Sequence, residues 1–205
     1  MPVKKIKLGV LISGRGSNMQ ALVNACLDDN FPAQVECVIS NNPDAQGMLS
    51  ARKHNILTFE VENNPLDIYR INTILHSYDV NLVCLAGFMR LLSADFLRKW
   101  KSKVINIHPS LLPAFKGLNA QRQALDAGVK ITGCTVHYVV PEVDAGPIIF
   151  QAAVPVLQND NVAILSERIL KVEHICYPHS VKLIAENKII LKNNIATSSE
   201  VLSLI

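Results

Sequence analysis

The sequence predicts an α/β protein whose first half forms a doubly wound parallel sheet, which continues into a mixed sheet in the second half. Short apolar runs alternate with longer amphipathic stretches over the first hundred residues, as in strand–helix–strand units with right-handed crossovers. A glycine-rich turn directly follows the first apolar run. Beyond Val104 the helical stretches become rarer and the apolar runs follow one another more closely, which predicts strands of mixed direction.

Apolar runs of strand length and longer stretches of helical periodicity define the predicted elements. The predicted strands are Lys7–Ser13, Val35–Ser40, Leu57–Val61, Leu82–Ala86, Val104–His108, Thr132–Val139 and Ile148–Val156. The predicted helices are Asn18–Asp29, Asp44–His54, Asp67–Tyr78, Ser93–Trp100, Asn119–Ala127 and Ala163–Glu186. Residues Ala196–Ile205 are Ser-rich and then apolar, so they form either a loose tail or a docked strand.

Composition and charge favour a soluble globular enzyme that acts on a small molecule. Apolar residues make up 49% of the 205 residues and charged residues 18%, which is enough apolar surface for one large core. The net charge is only +3, and Lys and Arg are scattered along the chain. This pattern excludes a dedicated nucleic-acid binder but is compatible with a local pocket for an acidic ligand.

The chain start and the cysteines both predict a cytoplasmic protein. The uncharged run Leu8–Ile12 is shorter than the roughly 7–15 residues of a secretory signal core, and no stretch reaches the roughly 18 apolar residues of a membrane span. The five cysteines form no C-x-x-C pair, so we expect reduced, buried thiols in a reducing compartment.

The glycine-rich turn between the first strand and the first helix predicts a phosphate site. Gly14 and Gly16 allow positive φ and close approach of an anion to backbone N–H groups, and Ser17 or Asn18 can cap the helix. The third glycine of a dinucleotide fingerprint is missing, because Met19 stands there. A mononucleotide or sugar phosphate is therefore favoured over NAD, and a tight turn without a ligand is the alternative.

A second group of polar residues predicts acid–base chemistry at the carboxyl edge of the sheet. Asn106 and His108 share one face at the end of an otherwise apolar strand, where the Asn can bind a carbonyl oxygen and the His can transfer a proton. Asp144 lies in a Gly- and Pro-framed loop, and the segment Gly87–Arg90 suits a flat heteroaromatic ligand. Neither a nucleophile elbow nor a metal-ligand spacing occurs, so we predict no metal and no covalent enzyme intermediate.

Six segments carry a resemblance to a known family. In chain order they are SGRGSN, LAGFMRLLS, INIHPSLLPAFKGLNAQRQAL, GCTVHYV, DAGPII and VEHICYP. They resemble the glycinamide ribonucleotide formyltransferases of purine synthesis, from Lys7 to about Lys192. NIHPSLLP with a distal DxGP is typical of folate-dependent formyl transfer and hydrolysis, and SGRGSN narrows the resemblance to the ribonucleotide enzymes.

The resemblance implies a Rossmann-like formyltransferase fold and a one-carbon transferase of de novo purine (IMP) synthesis. The cosubstrate would be 10-formyltetrahydrofolate and the acceptor the amine of glycinamide ribonucleotide, without a metal, nucleic acid or membrane. The protein would be a monomer or homodimer. A single formyltransferase domain would cover residues 1–205, with a phosphate-binding half over 1–100 and a catalytic and folate-binding half over 101–205.

The resemblance also implies roles for individual residues. Asn106 would hold the formyl oxygen, His108 would donate a proton, and Asp144 would keep His108 protonated, since a nearby carboxylate favours the imidazolium cation. Glu173 would contact the ribonucleotide, whose phosphate would be bound by Gly16, Ser17 and Asn18. The folate would be bound by Met89, Arg90, Leu91, Leu92, Asn106, Val140, Val143 and Asp144. A cis peptide is expected at Leu112–Pro113.

Four positions depart from the family. Leu66 stands where some members carry an arginine for the folate tail, and Asn119, Gln121 and Thr132 replace histidines of other members. These differences bear on affinity for the folate tail and on loop electrostatics, while the catalytic trio is intact.

Formyltetrahydrofolate hydrolase is the nearest alternative, because it shares the trio and transfers the formyl group to water. It carries an N-terminal regulatory domain that we do not expect here, and it gives SGRGSN no phosphate to bind. A methionyl-tRNA formyltransferase would need a further C-terminal domain and a basic surface. A non-catalytic nucleotide sensor would use the glycine loop but not the trio.

Overall fold

The computed structural model describes residues 5–198, which form two compact units. The first unit ends at Asn106 and the second begins at Ile107, inside one strand. The functional division into halves at residue 100 stays a prediction.

The first unit is a parallel sheet flanked by helices, in the strand order β3-β2-β1-β4-β5. Its strands are β1 (Ile6–Ile12), β2 (Ala33–Ser40), β3 (Leu57–Glu60), β4 (Leu82–Leu85) and the start of β5 (Val104–His108). Its helices are α1 (Ser17–Cys26), α2 (Gln46–Lys53), α3 (Ile68–Ser77) and α4 (Ala94–Lys99). The central strands are buried on both faces, as a parallel sheet covered by helices requires, and the strand order reverses between β1 and β4. Ligands bind at such a reversal, where the loops after β1 and β4 lie.

The second unit places an antiparallel strand pair and a long helix beside the end of β5. Its elements are α5 (Ala120–Asp126), β6 (Ile131–Tyr138), β7 (Ile148–Pro155), α6 (Val162–Ala185), β8 (Ile189–Lys192) and β9 (Ile195–Ser198). β6 lies next to β5 and pairs antiparallel with β7, and α6 packs on β6 and β7. The mixed direction predicted for the second half is therefore confirmed, together with the α/β fold class.

All predicted strands and helices are present, with ends that shift by up to three residues. α1 ends at Cys26 and not at Asp29, because the Asp28 side chain accepts a hydrogen bond from the amide of Asn30 and forms a turn. α2 begins at Gln46 and not at Asp44, because the Asn42 side chain binds the Asp44 amide in a similar turn.

The hairpin of β8 and β9 was not predicted. Its turn is Asn193-Asn194, and both residues have positive φ, 51° and 61°, as a two-residue type I′ hairpin turn requires. The pair of asparagines between two apolar runs was the signal that could have found it. Part of the predicted tail, up to Ser198, is thus a strand, and residues 199–205 lie outside the described residues.

The cysteines are free thiols, four of them buried and Cys26 half-buried. Burial raises the pKa of Cys26 to about 11 and that of Cys37 to about 12, so these thiols are unreactive, as expected for structural cysteines. Within residues 5–198 no helix combines the length and apolar character needed to cross a membrane.

Candidate active site

The glycine loop after β1 ends in a helix start that has no side-chain cap. Gly16 is the N-cap of α1 and has φ 72°, whereas Gly14 does not use positive φ. The prediction that Ser17 or Asn18 caps the helix is wrong, because Ser17 is already the first helical residue and no side chain accepts a cap hydrogen bond. The N-cap position of α1 therefore provides no side-chain acceptor, and the backbone amides of this helix start are candidates for binding an anion.

Two backbone segments meet so closely at this loop that glycine is required. The amide of Gly47 at the start of α2 donates to the carbonyl of Gly14 at 3.1 Å. A Cβ on Gly16 would lie 2.8 Å from Gly47 Cα, which real Cβ atoms essentially never do. The positive φ at Gly16 and this contact together explain why the position has no side chain.

Ser13 ties the glycine loop to the loop after β4, a role that the sequence reasoning missed. Its hydroxyl donates to Asn41 Oδ1 at 2.6 Å and accepts from the amide of Met89 at 2.8 Å. Its own amide donates to the carbonyl of Gly87 at 3.1 Å. The first residue of SGRGSN is therefore the anchor between the predicted phosphate loop and the predicted pterin loop.

The loop after β4 presents apolar side chains to solvent. Met89 is 64% exposed and Leu91 76% exposed, and Arg90 beside them is also exposed. Leu92 is buried and belongs to the core. Exposed apolar side chains beside a cation at a sheet edge offer a surface for a flat ligand, so three of the four residues assigned to the pterin are accessible.

His108 and Asp144 form a buried ion pair in the second unit. His108 Nδ1 lies 3.2 Å from Asp144 Oδ2, and the two side chains are only 6% and 11% exposed. His108 Nε2 lies 2.9 Å from the carbonyl oxygen of Phe115. The predicted contact between His108 and Asp144 is thus present, and the carbonyl oxygen of Phe115 is an additional partner of His108.

Both ring nitrogens of His108 face hydrogen-bond acceptors. A carbonyl oxygen and a carboxylate both accept hydrogen bonds, and one lies against each ring nitrogen of His108. A neutral imidazole has a single N–H and can satisfy only one of them. An N–H at either ring nitrogen of His108 therefore has an acceptor within the site.

Asp144 is held by partners that stabilise its charge. Its backbone is left-handed, with φ 47°, and Oδ2 accepts from the amide of Gly117 at 2.8 Å. Burial opposes its ionisation, but His137, the Gly117 amide and the charge of His108 outweigh burial and lower the pKa of Asp144 below its ordinary value. Neither Gly117 nor His137 was predicted, since an amide and a lone strand histidine give no specific signal.

The remaining predicted residues lie on separate elements. Asn106 is half-buried on β5, two residues before His108, so strand alternation directs both side chains to one face. Glu173 is buried on α6 with 6% exposure. In the loop after β6, Val140 is half-buried and Val143 is 43% exposed.

The loop that follows His108 is fixed by side chains of β6 and β7. Thr135 Oγ1 donates to the carbonyl of Ser110 at 2.7 Å and accepts from the amide of Leu112 at 3.0 Å. Gln151 Nε2 donates to the Leu112 carbonyl at 2.8 Å and to Thr135 Oγ1 at 2.9 Å. These bonds explain how an irregular loop can hold the Phe115 carbonyl in place beside His108.

Several resemblance-based expectations meet the structure here. The peptide Leu112–Pro113 is cis, as expected. Asn119 is the N-cap of α5 in a left-handed conformation, with φ 59°. Thr132 is buried, and its hydroxyl has no hydrogen-bond partner within residues 5–198. Among the same residues, no group of three or more His, Cys, Asp or Glu side chains is arranged to hold a metal ion.

Comparison with known proteins points to one family. Residues 6–181 match the formyl transferase family model. The chain is 40% identical to the phosphoribosylglycinamide formyltransferase of Haemophilus influenzae over 195 residues, 93% of this chain and 92% of that protein. It is 55% identical to the crystal structure of phosphoribosylglycinamide formyltransferase from Anaplasma phagocytophilum, with a TM-score of 0.94 and 98% of each chain covered.

Longer proteins also contain a region similar to this chain. The chain is 48% identical over 197 residues to the human trifunctional purine biosynthetic protein adenosine-3, and it spans only 19% of that relative's length. A formyltetrahydrofolate deformylase from Pseudomonas syringae is a more distant neighbour, with 27% identity, a TM-score of 0.89 and 67% of its chain covered.

The motifs, the buried His–Asp pair and the comparisons thus agree on one lineage, and the deformylases are more distant. The chain belongs to the formyl transferase family and groups there with the phosphoribosylglycinamide formyltransferases.

Proposed function

We propose that this protein transfers the formyl group of 10-formyltetrahydrofolate to the amine of glycinamide ribonucleotide in de novo purine (IMP) synthesis. The observation that carries the proposal is His108, a buried ring with an acceptor at each nitrogen. Formyl transfer between two amines needs an acid of this kind and an oxyanion donor, but no enzyme nucleophile.

In the proposed reaction the acceptor amine attacks the formyl carbon, and negative charge develops on the formyl oxygen. The Asn106 amide donates a hydrogen bond to that oxygen, which is worth roughly 10²–10³ in rate for comparable oxyanion donors. His108 then protonates the folate nitrogen as the bond between that nitrogen and the formyl carbon breaks and the C=O bond re-forms. The proton that the attacking amine loses returns to the His108 ring through water. General acid catalysis of this type contributes roughly 10²–10⁴ in rate.

Asp144 supports this step by stabilising the His108 cation before the proton is transferred. The low pKa of Asp144 keeps the carboxylate charged, so His108 keeps its counter-ion. Release of the Phe115 carbonyl from Nε2 would free the proton for the leaving nitrogen. The proton therefore has a defined origin and a defined stabiliser on this chain.

We assign the ribonucleotide phosphate to the amides of Gly16, Ser17 and Asn18, and a further ribonucleotide contact to Glu173. The assignment is supported by the uncapped start of α1 and by the close packing that keeps side chains away from it. We assign the pterin to Met89, Arg90, Leu91, Leu92, Val140 and Val143. The exposed apolar side chains at the end of β4 support that part.

We further propose that the enzyme acts in the cytoplasm, as a monomer or homodimer, with its two substrates as its only required partners. The free, buried cysteines support a reducing compartment.

Dependence of formylfolate consumption on glycinamide ribonucleotide tests the function. The purified enzyme should consume formylfolate rapidly only when the ribonucleotide is present, because water lacks the remote binding energy that aligns the acceptor amine. Formylfolate loss and formylated ribonucleotide should appear in equal amounts. Equal consumption of formylfolate with and without the ribonucleotide would instead identify a hydrolase. Glycinamide, which lacks the ribose phosphate, is the matched control for the contribution of the phosphate.

A further inference from the structure

The Asp144 carboxylate lies between two histidines, and the proposed chemistry uses only one of them. Oδ2 faces His108 Nδ1 at 3.2 Å, and Oδ1 faces His137 Nε2 at 3.6 Å. The His137 side chain is 3% exposed, so it is as well shielded from water as His108. A buried titratable side chain next to a catalytic carboxylate calls for a role of its own.

The orientation of the His137 ring is fixed by its own strand. His137 lies near the end of β6, and its Nδ1 is 2.9 Å from the carbonyl oxygen of Tyr138. A carbonyl can only accept, so Nδ1 carries a proton and donates it. The opposite nitrogen, Nε2, is thereby aimed at Asp144 and cannot rotate away without breaking that bond.

The carboxylate cannot hold its orientation through His108 alone. Asp144 lies in an irregular loop with left-handed backbone, and the Gly117 amide binds the same oxygen that faces His108. Rotation about the Cβ–Cγ bond would exchange the two oxygens or turn both away from His108. The Gly117 amide and His108 oppose this rotation at Oδ2, and His137 opposes it at Oδ1.

We propose that His137 is a positioning residue for formyl transfer: it holds Oδ1 of Asp144 so that Oδ2 stays directed at the His108 ring. The inference rests on the proposed function for its catalytic consequence but not for its geometry. His137 acts through Asp144 and contacts neither substrate. Its effect belongs to kcat and to the protonation of Asp144, and substrate affinity is not involved.

The charged groups around Asp144 define what a change at His137 does to the pH profile. His108 and His137 face its two oxygens. The Lys116–Glu142 ion pair, at 3.7 Å, joins the loop that carries Gly117 to the loop that carries Asp144 at the surface. Among the causes that lower the pKa of Asp144, His137 is the strongest. Removal of His137 should therefore raise the pKa of Asp144 and move the acid limb of kcat to higher pH.

Two substitutions separate the two nitrogens of His137. His137→Gln keeps a donor near the place of Nε2, whereas His137→Asn keeps a donor only near the place of Nδ1. We expect His137→Asn to lower kcat by about tenfold to a hundredfold, since small misplacements of catalytic groups have effects of this order, while both KM values stay nearly unchanged. His137→Gln should recover most of the lost kcat. The control is His179→Asn, the loss of another histidine of the same unit, whose ring packs edge-on against Phe150 at 5.1 Å.

A second readout needs no substrate and separates this inference from the proposed function. The ¹³Cγ signal of Asp144, followed by NMR against pH, should titrate at higher pH in His137→Asn than in the unsubstituted protein, because the strongest partner that lowers its pKa is lost. Three results would overturn the inference. They are a normal kcat in His137→Asn, a loss of kcat that His137→Gln does not restore, and an Asp144 titration that does not move. If formyl transfer to the ribonucleotide were absent from the unsubstituted enzyme but the titration shifted, the proposed function would fail and the positioning role would stand.

Discussion

The glycine loop and the His108–Asp144 pair are built on opposite principles. At the glycine loop, the backbone forms the site: Gly16 has left-handed φ, and α1 begins without a side-chain cap. At the His108–Asp144 pair, side chains form the site, and the backbone serves them through the Gly117 amide and the Phe115 carbonyl. We assign a ligand to the backbone amides of the first region, whereas the polar groups of the second region contact one another.

This difference predicts different consequences of mutation. A backbone site is altered only by changes of conformation or by added atoms, so substitutions there should affect stability and ribonucleotide KM. A side-chain site loses its chemistry when one functional group changes, so substitutions there should affect kcat.

The largest effect is expected at the side-chain site. His108→Asn keeps a donor near Nδ1 but has no titratable proton donor, and Asp144→Asn keeps the shape but not the charge. Each should lower kcat by roughly two orders of magnitude or more, with small changes in KM. Steady-state kinetics measures both parameters, and melting temperatures show whether the fold is kept. Turnover near the unsubstituted level in either variant would contradict the assigned chemistry.

The second prediction compares two glycines of one loop. Gly16→Ala should destabilise the protein by at least about 1–2 kcal/mol, the cost of left-handed backbone alone, and the clash with Gly47 adds to it. It should also raise the KM for the ribonucleotide. Gly14→Ala is the matched control, because no atom lies within 4 Å of its added Cβ and its φ is not positive. Equal effects of the two substitutions would show that conformation is not what the loop requires.

The phosphate assignment has its own test at the same loop. Inorganic phosphate should inhibit competitively with the ribonucleotide and should not compete with formylfolate, because the anion occupies the α1 amides. Competition with formylfolate would mean that the two substrates had been assigned to the wrong loops.

The sequence predicted the elements of this fold well because their signals are local. Apolar runs such as the one in β4 and periodic stretches such as α6 depend on the residues within them, so thirteen elements were found and only their ends moved. The ends moved where a side chain captured a backbone amide, as Asp28 does after α1. The β8–β9 hairpin was missed because its signal, two asparagines with positive φ, is a turn signal and not a periodic one.

The site was predictable only as far as side-chain identity reveals it. Asn106, His108 and Asp144 were selected by chemistry and by resemblance. Gly117 contributes an amide that any residue could supply, and the sequence could not reveal which amide it would be. Ser13 was missed for a related reason: its three partners come from the ends of other strands, far away in sequence.

Ser13 provides the fourth prediction, an effect of intermediate size. Ser13→Ala removes the acceptor of the Met89 amide and the donor to Asn41, at a cost of about 1 kcal/mol per lost bond. The loop after β4 should loosen, so the KM for formylfolate should rise several-fold while kcat is kept. Ser13→Cys is the control that retains a weaker donor. A loss of kcat without a change in KM would show that Ser13 belongs to the chemistry and not to the loop.

The smallest effect is expected at the start of α6, which has a side-chain N-cap, unlike the start of α1. The N-cap of α6 is Asn161, whose side chain accepts from the Ile164 amide at 3.0 Å, and the preceding Asp160 is bound by Arg168 at 2.5 and 2.8 Å. Hydrogen bonds from Arg168 and the Leu157 amide lower the pKa of Asp160 to about 2. A carboxylate with a lowered pKa stabilises the fold above its ordinary pKa of 3.8, and this contribution is lost as the pH falls toward about 2.

Asp160→Asn should therefore melt at a lower temperature than the unsubstituted protein at neutral pH, and the difference in melting temperature should narrow below about pH 4, as measured by circular dichroism. Turnover should not change, and inorganic phosphate should stabilise both proteins equally, since we assign its site to the start of α1. Two results would contradict this prediction: a difference in melting temperature that stays constant down to pH 3, or a weaker stabilisation of Asp160→Asn by phosphate. Either would mean that the capped start of α6 and the start of α1 do not differ as their N-caps indicate.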